Sequence, residues 1–243
     1  MTAILPPLSA TEVAQSAATV QTASAAAVRT HPKKVIAIGD SLVYGYGDSE
    51  GGGWVDRLRL GWMSPEQPGP ILYNLGVRGD GVVQVAKRLE QEFCDRGELR
   101  HRKPDLLVLS VGINDSARAG RPAGRPVTAT ETFEQEMNRL LSLATQLCPV
   151  YFVGMVPVNE AAMPFANVLY FSHAEQQRYR DITRRLCAEH QVPYLDLYQQ
   201  WAQHDEHWVS DRLCTDGIHP NPLGYSTILE SVKAWQPFMS ALA

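Results

Sequence analysis

A serine at position 41, an aspartate at 216 and a histidine at 219 supply the residue types that nucleophilic catalysis needs. A serine hydroxyl attacks a carbonyl poorly until a base within hydrogen-bonding reach takes its proton, and His219 offers the imidazole for that task. A carboxylate bonded to Nδ1–H fixes the ring's tautomer and stabilises the imidazolium as it forms. Asp216, three residues before His219, lies one turn away and can act locally, and Pro220 and Pro222 restrict the backbone around the pair. Attack turns the carbonyl oxygen into an oxyanion, which needs preorganised donors. Three are available: the backbone N–H of Ser41 at the start of a predicted helix, that of Gly76, where the missing Cβ permits close approach, and the side-chain amide of Asn114.

Each of these residues also has a plainer reading. Ser41 after a strand and before a helix fits an N-cap. Gly76 fits a turn glycine, Asn114–Asp115 an Asx-turn or helix cap, and Asp216 with His219 a surface ion pair. Their common placement favours the chemical reading, because ligands of an open parallel sheet sit beyond the carboxyl ends of its strands. Gly39-Asp40-Ser41-Leu42, Gly76 and Gly112-Ile113-Asn114-Asp115 each follow a predicted strand directly. Asp216-Gly217-Ile218-His219-Pro220 follows the last strand after a short helical segment and a loop.

The strands themselves are continuous apolar runs, as expected where both faces are covered: Lys33 to Ile38, Ile71 to Leu75, Leu106 to Val111, Val150 to Met155 and Tyr194 to Leu197. Between them apolar residues recur at helical spacing: Val82, Val85, Ala86, Leu89 and Phe93; Phe133, Met137, Leu140, Leu141, Ala144 and Leu147; Tyr179, Ile182 and Leu186. Ile228, Leu229, Val232 and Trp235 predict a closing helix. The alternation predicts an α/β fold, a three-layer α/β/α sandwich around a five-stranded parallel sheet of flavodoxin-like type. Residues 1–31, rich in Ala, Ser and Thr, read as a leader, flexible or weakly helical, and residues 32–243 as one domain. Two connections, 116–130 and 157–172, exceed the roughly 12 residues usual for structureless loops and are expected to line the site.

Gly39-Asp40-Ser41-Leu42, Asn74-Leu75-Gly76, Gly112-x-Asn114-Asp115 and Asp216-x-x-His219 resemble, in order and rough spacing, the four blocks of the SGNH (GDSL-type) hydrolases. The resemblance covers about residues 33 to 240, and its last two blocks are most similar to the bacterial thioesterase I and lysophospholipase branch. It implies the sheet order 2-1-3-4-5, a Ser41–His219–Asp216 triad, an oxyanion hole from Ser41, Gly76 and Asn114, and no cofactor. G-x-S-x-G is absent at Ser41, which argues against the ordinary α/β-hydrolase fold.

The expected substrate is a small-molecule carboxylic ester or thioester, of small acyl, aryl or lysophospholipid-like type. Met163, Phe165, Leu169 and Tyr170 offer an apolar wall for it, or equally pack their own loop against the sheet. Alternatives are a carbohydrate O-acetyl esterase of the same fold and a catalytically silent ligand-binding protein using the same crevice. A formal net charge of -4 without long runs of one sign argues against nucleic acid as a partner. No stretch approaches the roughly twenty apolar residues of a membrane span, so no stable insertion is expected. His204-Asp205-Glu206-His207 has metal-binding residue types but reads as an exposed polar run, so no metal is expected. Arg78-Gly79-Asp80 is expected to cap the helix beginning near Gly81. Cys94, Cys148, Cys187 and Cys214 form no C-x-x-C pair, which suits free thiols in a cytoplasmic protein. Ser24, Ala25 and Ala27 resemble a cleavage site and keep periplasmic export as the alternative.

Overall fold

The computed structural model describes residues 32–66, 68–96 and 103–242; the expectations for the leader, 1–31, lie outside the described residues. Five parallel strands form the central sheet: β1 (Lys34–Gly39), β2 (Ile71–Gly76), β3 (Leu106–Ser110), β4 (Val150–Val153) and β5 (Tyr194–Leu195), in the order β2-β1-β3-β4-β5. All of β1, β3 and β4 is buried, which is why these runs carry no polar alternation. The register sets Gly39 opposite both Gly76 and Ser110, so β2, β1 and β3 end level. A Cβ at Gly39 would lie 1.9 Å from the Ser110 carbonyl oxygen, so only glycine permits this close approach at the end of β1.

Helices flank the sheet. On one side α3 (Val82–Asp95), α4 (Thr130–Leu147) and α5 (His173–Glu189) pack in succession. In a second group α1 (Ser41–Tyr44) and α8 (Pro222–Ala234) pack on α2 (Gly53–Gly61). Short helices α6 (Leu197–Trp201), α7 (Glu206–Ser210) and α9 (Gln236–Leu242) complete the helical set among the described residues. The predicted stripes are the buried ones on α3 and, apart from the half-buried Leu147 at its end, on α4, whereas on α5 Ile182 is only half-buried and Thr183 turns inward instead.

Three sequence expectations shift. β5 stops at Leu195 because the Asp196 carboxylate accepts from the Gln199 N–H and starts α6, so Leu197 is helical. Arg78-Gly79-Asp80 does not cap α3: the N-cap is Gly81, whose N–H donates to Gln84 Oε1 at 3.1 Å, and the Val82 N–H donates to Asp115 Oδ2 at 3.0 Å. Asp80 is instead paired with Arg88. The two long connections are not structureless; Arg118–Ala119, Arg125–Pro126 and Leu169–Tyr170 make a small antiparallel sheet that joins them, with Arg118 opposite Tyr170.

Arg88 fastens the end of the sheet from which the site projects. Its guanidinium donates to Asp80 Oδ2 at 2.8 Å, to the Leu75 carbonyl at 2.9 Å and to the Gly39 carbonyl at 2.8 Å. Truncation leaves the Asp80 carboxylate without its cation and removes the guanidinium bonds to two carbonyls, of which that of Gly39 keeps the Val77 N–H. Arg88→Ala should therefore lose about 2–3 kcal/mol of unfolding free energy. Urea denaturation checks this, and a loss below about 0.5 kcal/mol, the range of an indifferent surface change, would show that the guanidinium carries no such role.

Candidate active site

Ser41 is the first residue of α1, placed there because Asp40 caps the helix, its Oδ1 accepting from the Leu42 N–H at 2.9 Å. A shared bond fixes the turn from above: the Tyr225 hydroxyl on α8 divides its one hydrogen between the Tyr46 carbonyl at 3.0 Å and the Ser41 carbonyl at 3.3 Å. His219 arrives on a loop that folds back on itself, Leu213 bridging to Pro220 and the Cys214 N–H donating to the His219 carbonyl at 2.7 Å. Asn221 then caps α8, with Pro222 in the first turn, so the chain is fixed immediately past the histidine.

The geometry joins residues from the two ends of the domain. His219 Nε2 lies 2.9 Å from Ser41 Oγ, and Nδ1 lies 2.6 Å from Asp216 Oδ2. Oδ1 of the same carboxylate accepts from the N–H groups of Ile218 and His219, both at 3.0 Å, so Asp216 orders its own turn while it holds the ring. Gly217 makes that turn possible at φ 72°, where a side chain is strained. Burial pushes the Asp216 carboxyl up, but the His219 ring and the two amides more than offset this and hold it below the usual carboxylate range. An ionised Asp216 can only accept, so Nδ1 of the neutral ring carries the hydrogen and Nε2 presents its lone pair to the Ser41 hydroxyl. Ser41 and His219 are both buried. Tyr46 meets the imidazole edge-on with ring centroids 4.7 Å apart, and Phe165 lies at 5.9 Å.

The expected oxyanion donors divide. The Ser41 N–H has no partner among the described residues. Asn114 begins a short 3-10 turn, and its amide donates one hydrogen to the Asp80 carbonyl at 2.9 Å, leaving the other. Gly76 is differently employed: its N–H donates to Asn74 Oδ1 at 3.0 Å, so it serves an incoming oxygen only by sharing or giving up that bond. Its lack of a side chain is explained by packing, since a Cβ there would stand 2.1 Å from the Tyr44 N in α1. Gly79, not singled out from the sequence as a donor, occupies the third position of a turn closed by Asp80 N–H to the Val77 carbonyl, with φ 83°. Its N–H has no partner among the described residues, and it lines a cavity of about 350 Å³ together with Asn114, Gly81, Gln84 and Thr128.

Of the apolar wall, Phe165 reaches the imidazole, while Met163 and Leu169 are half-buried against the core and Met163 Sδ accepts from the Phe171 N–H. Tyr170 is half-buried in the small sheet beside Arg118. A larger cavity, about 560 Å³, lies elsewhere, between the 157–161 segment, the start of α5 and the α6–α7 region; none of the expected site residues lines it. His204 stacks on Trp208 at 3.8 Å, and among the described residues no cluster of His, Cys, Asp and Glu has the arrangement of a metal site. No helix among the described residues is long and apolar enough to cross a membrane.

Comparison with known proteins gives the family and the fold. A model of the GDSL-like lipase/acylhydrolase family matches residues 37–226. The alpha1 subunit of platelet-activating factor acetylhydrolase IB from Pongo abelii is 25% identical over 162 residues, 66% of this chain and 62% of the relative, so the chain matches less than two thirds of that protein's length. Among solved structures, the lipase/acylhydrolase from Enterococcus faecalis superposes with a TM-score of 0.67 at 19% identity, covering 85% of this chain and 96% of the other. An acetylxylan esterase from Geobacillus stearothermophilus superposes with 0.60 at 17% identity, covering 87% and 94%.

The buried carboxyl of Asp40 gives this region a pH signature. Burial, reinforced by the charges of Asp115 and Asp80, outweighs the Leu42 amide and raises Asp40 from 3.8 to about 7. A carboxyl raised by folding favours the protonated native state. Its contribution is therefore fully present below the unfolded value and lost as pH rises through about 7. Asp40→Asn keeps the acceptor for Leu42 but cannot ionise. Relative to the parent protein, the variant should gain stability between pH 5 and pH 8, read from urea midpoints at the two pH values; an unchanged difference would remove the ionisation from the account.

Proposed function

From the chain's membership of the GDSL-like lipase/acylhydrolase family, we propose that it is a serine esterase hydrolysing carboxylic esters and thioesters, with Ser41 as nucleophile, His219 as general base and Asp216 as the group that orients it. The observation that carries this reading is the unbroken hydrogen-bond chain Ser41 Oγ, His219 Nε2, His219 Nδ1, Asp216 Oδ2. As Ser41 Oγ bonds to the carbonyl carbon, its proton passes to His219 Nε2 and the carbonyl electrons move onto oxygen. The oxyanion is received by the Ser41 N–H and the free hydrogen of the Asn114 amide. The third donor is the Gly79 N–H, unpartnered beside Asn114, in preference to Gly76, whose N–H is held by Asn74. Collapse breaks the bond to the leaving alkoxide or thiolate, which takes the proton from His219 and leaves an acyl-Ser41 ester. Water, deprotonated by the same Nε2, then attacks; the acid departs and Ser41 regains its proton.

The substrate is a small molecule with a short acyl or aryl group. Phe165, 5.9 Å from the imidazole between ring centroids, supports an apolar group of limited size beside His219. The free thiols of Cys94, Cys148, Cys187 and Cys214 support a reducing compartment, and we assign the enzyme to the cytoplasm.

Ser41→Ala should reduce hydrolysis of p-nitrophenyl acetate and butyrate by about 10⁴-fold or more and abolish labelling by a fluorophosphonate. Asn114→Ala should lower kcat by about 10²- to 10³-fold. Full turnover in the Ser41 variant would remove Ser41 as the nucleophile.

A further inference from the structure

Arg78 stands at the mouth of this site with its charge uncommitted. The other arginines around this end of the sheet are paired: Arg57 with Asp48, Arg88 with Asp80, and Arg118 with Glu175. Arg78 has no ion pair or hydrogen bond among the described residues. Its guanidinium carbon lies 3.6 Å over the centroid of the Tyr46 ring, and the same ring packs against His219. The cation is thus one aromatic ring away from the imidazole and one residue before Gly79.

This placement is fixed from both sides. The Tyr46 carbonyl accepts from the buried Tyr225 hydroxyl, and the turn bearing Arg78 is closed by the bond from Asp80 N–H to Val77 and held by Asn114 on the Asp80 carbonyl. Stacking occupies the flat face of a guanidinium and leaves its in-plane N–H fork open, the geometry that takes a carboxylate or phosphate in two parallel bonds. The neighbouring carboxylates do not quench it: Asp80 is bound by Arg88, Asp216 by His219, and Asp115 is buried on the Val82 amide and the Thr128 hydroxyl.

We propose that Arg78, stacked on Tyr46 beside the imidazole, selects esters that carry an anionic group, a carboxylate or a phosphate, in the part of the substrate lying over Tyr46. The inference rests on the serine-esterase reading above. An anion seated on the fork anchors the substrate at a set distance from Ser41, which a neutral ester does not achieve.

The test is a set of matched esters assayed with the parent protein, Arg78→Gln and Arg78→Lys. Phenyl acetate is compared with 4-acetoxybenzoate and 4-acetoxyphenyl phosphate, which place carboxylate or phosphate on the leaving group. Phenyl butyrate is compared with monophenyl succinate, which places a carboxylate on the acyl group. For at least one charged ester, the ratio of its kcat/KM to that of its neutral partner should fall about tenfold or more in Arg78→Gln, carried by KM, with partial retention in Arg78→Lys. Added salt should shrink the same ratio in the parent protein. Which ester responds identifies the anion and the side it occupies. Ratios unchanged by Arg78→Gln for all three charged esters overturn the inference while leaving the esterase intact. Absence of turnover of every ester, together with absence of fluorophosphonate labelling at Ser41, overturns the esterase reading and the inference with it.

Discussion

The hydrogen bond between Ser41 and His219 spans 178 positions of sequence, and the rest of the site depends on the two backbone anchors that bring its ends within 2.9 Å. One anchor is the end of β1, where Gly39 lets the strand crowd Ser110 and Asp40 starts the helix that presents the hydroxyl. The other is the loop from Leu213 to Pro220, clamped by its own bridge and by the Asp216 carboxylate. Tyr225 ties the anchors together, since it rises from the helix that follows His219 and its hydroxyl binds carbonyls in the helix that carries Ser41 and just beyond it. The distance between Ser41 and His219 is thereby held from both ends.

Side chains rather than regular secondary structure organise the backbone around these anchors. Asn74 bridges the Asp56 carboxylate and the Gly76 N–H; Arg88 gathers the ends of β1 and β2; Asp115 links the first turn of α3 to Thr128 in the loop before α4. Each satisfies groups that a strand end or helix start leaves unpaired. The cost is a set of buried carboxyls. Asp40 and Asp115 are both pushed up by burial, so folding works against the ionised form of each.

Much of this was legible in the residues. The five strands are apolar runs because both faces are covered, so their existence follows from composition, although the order of the sheet came through the resemblance and not from periodicity. Ser41, Asp216 and His219 could be singled out together from their residue types and from the blocks they stand in, and the fold brings the three into one hydrogen-bonded chain. The small sheet joining the two long connections was not: two-residue strands have no detectable period, and their pairing depends on Arg118 meeting Tyr170 from a distant segment. The difference between the N–H groups of Gly76 and Gly79 was hidden for a similar reason. Both are glycines after β2, and only the Asn74 side chain folding onto the Gly76 N–H distinguishes the occupied donor from the open one.

The turn from Val77 to Asp80 shows how much function a short irregular segment can hold. Its glycine, at φ 83°, exposes an N–H beside Asn114, its arginine rests on the ring that packs against the imidazole, and its aspartate is tethered by both Arg88 and Asn114. A helix or strand at this point would have spent the same N–H groups on its own ladder. Breaking regular structure just after β2, and holding the break with Arg88, leaves an unpartnered N–H and a cation on adjacent residues; the fold supplies the rigidity that the turn itself lacks.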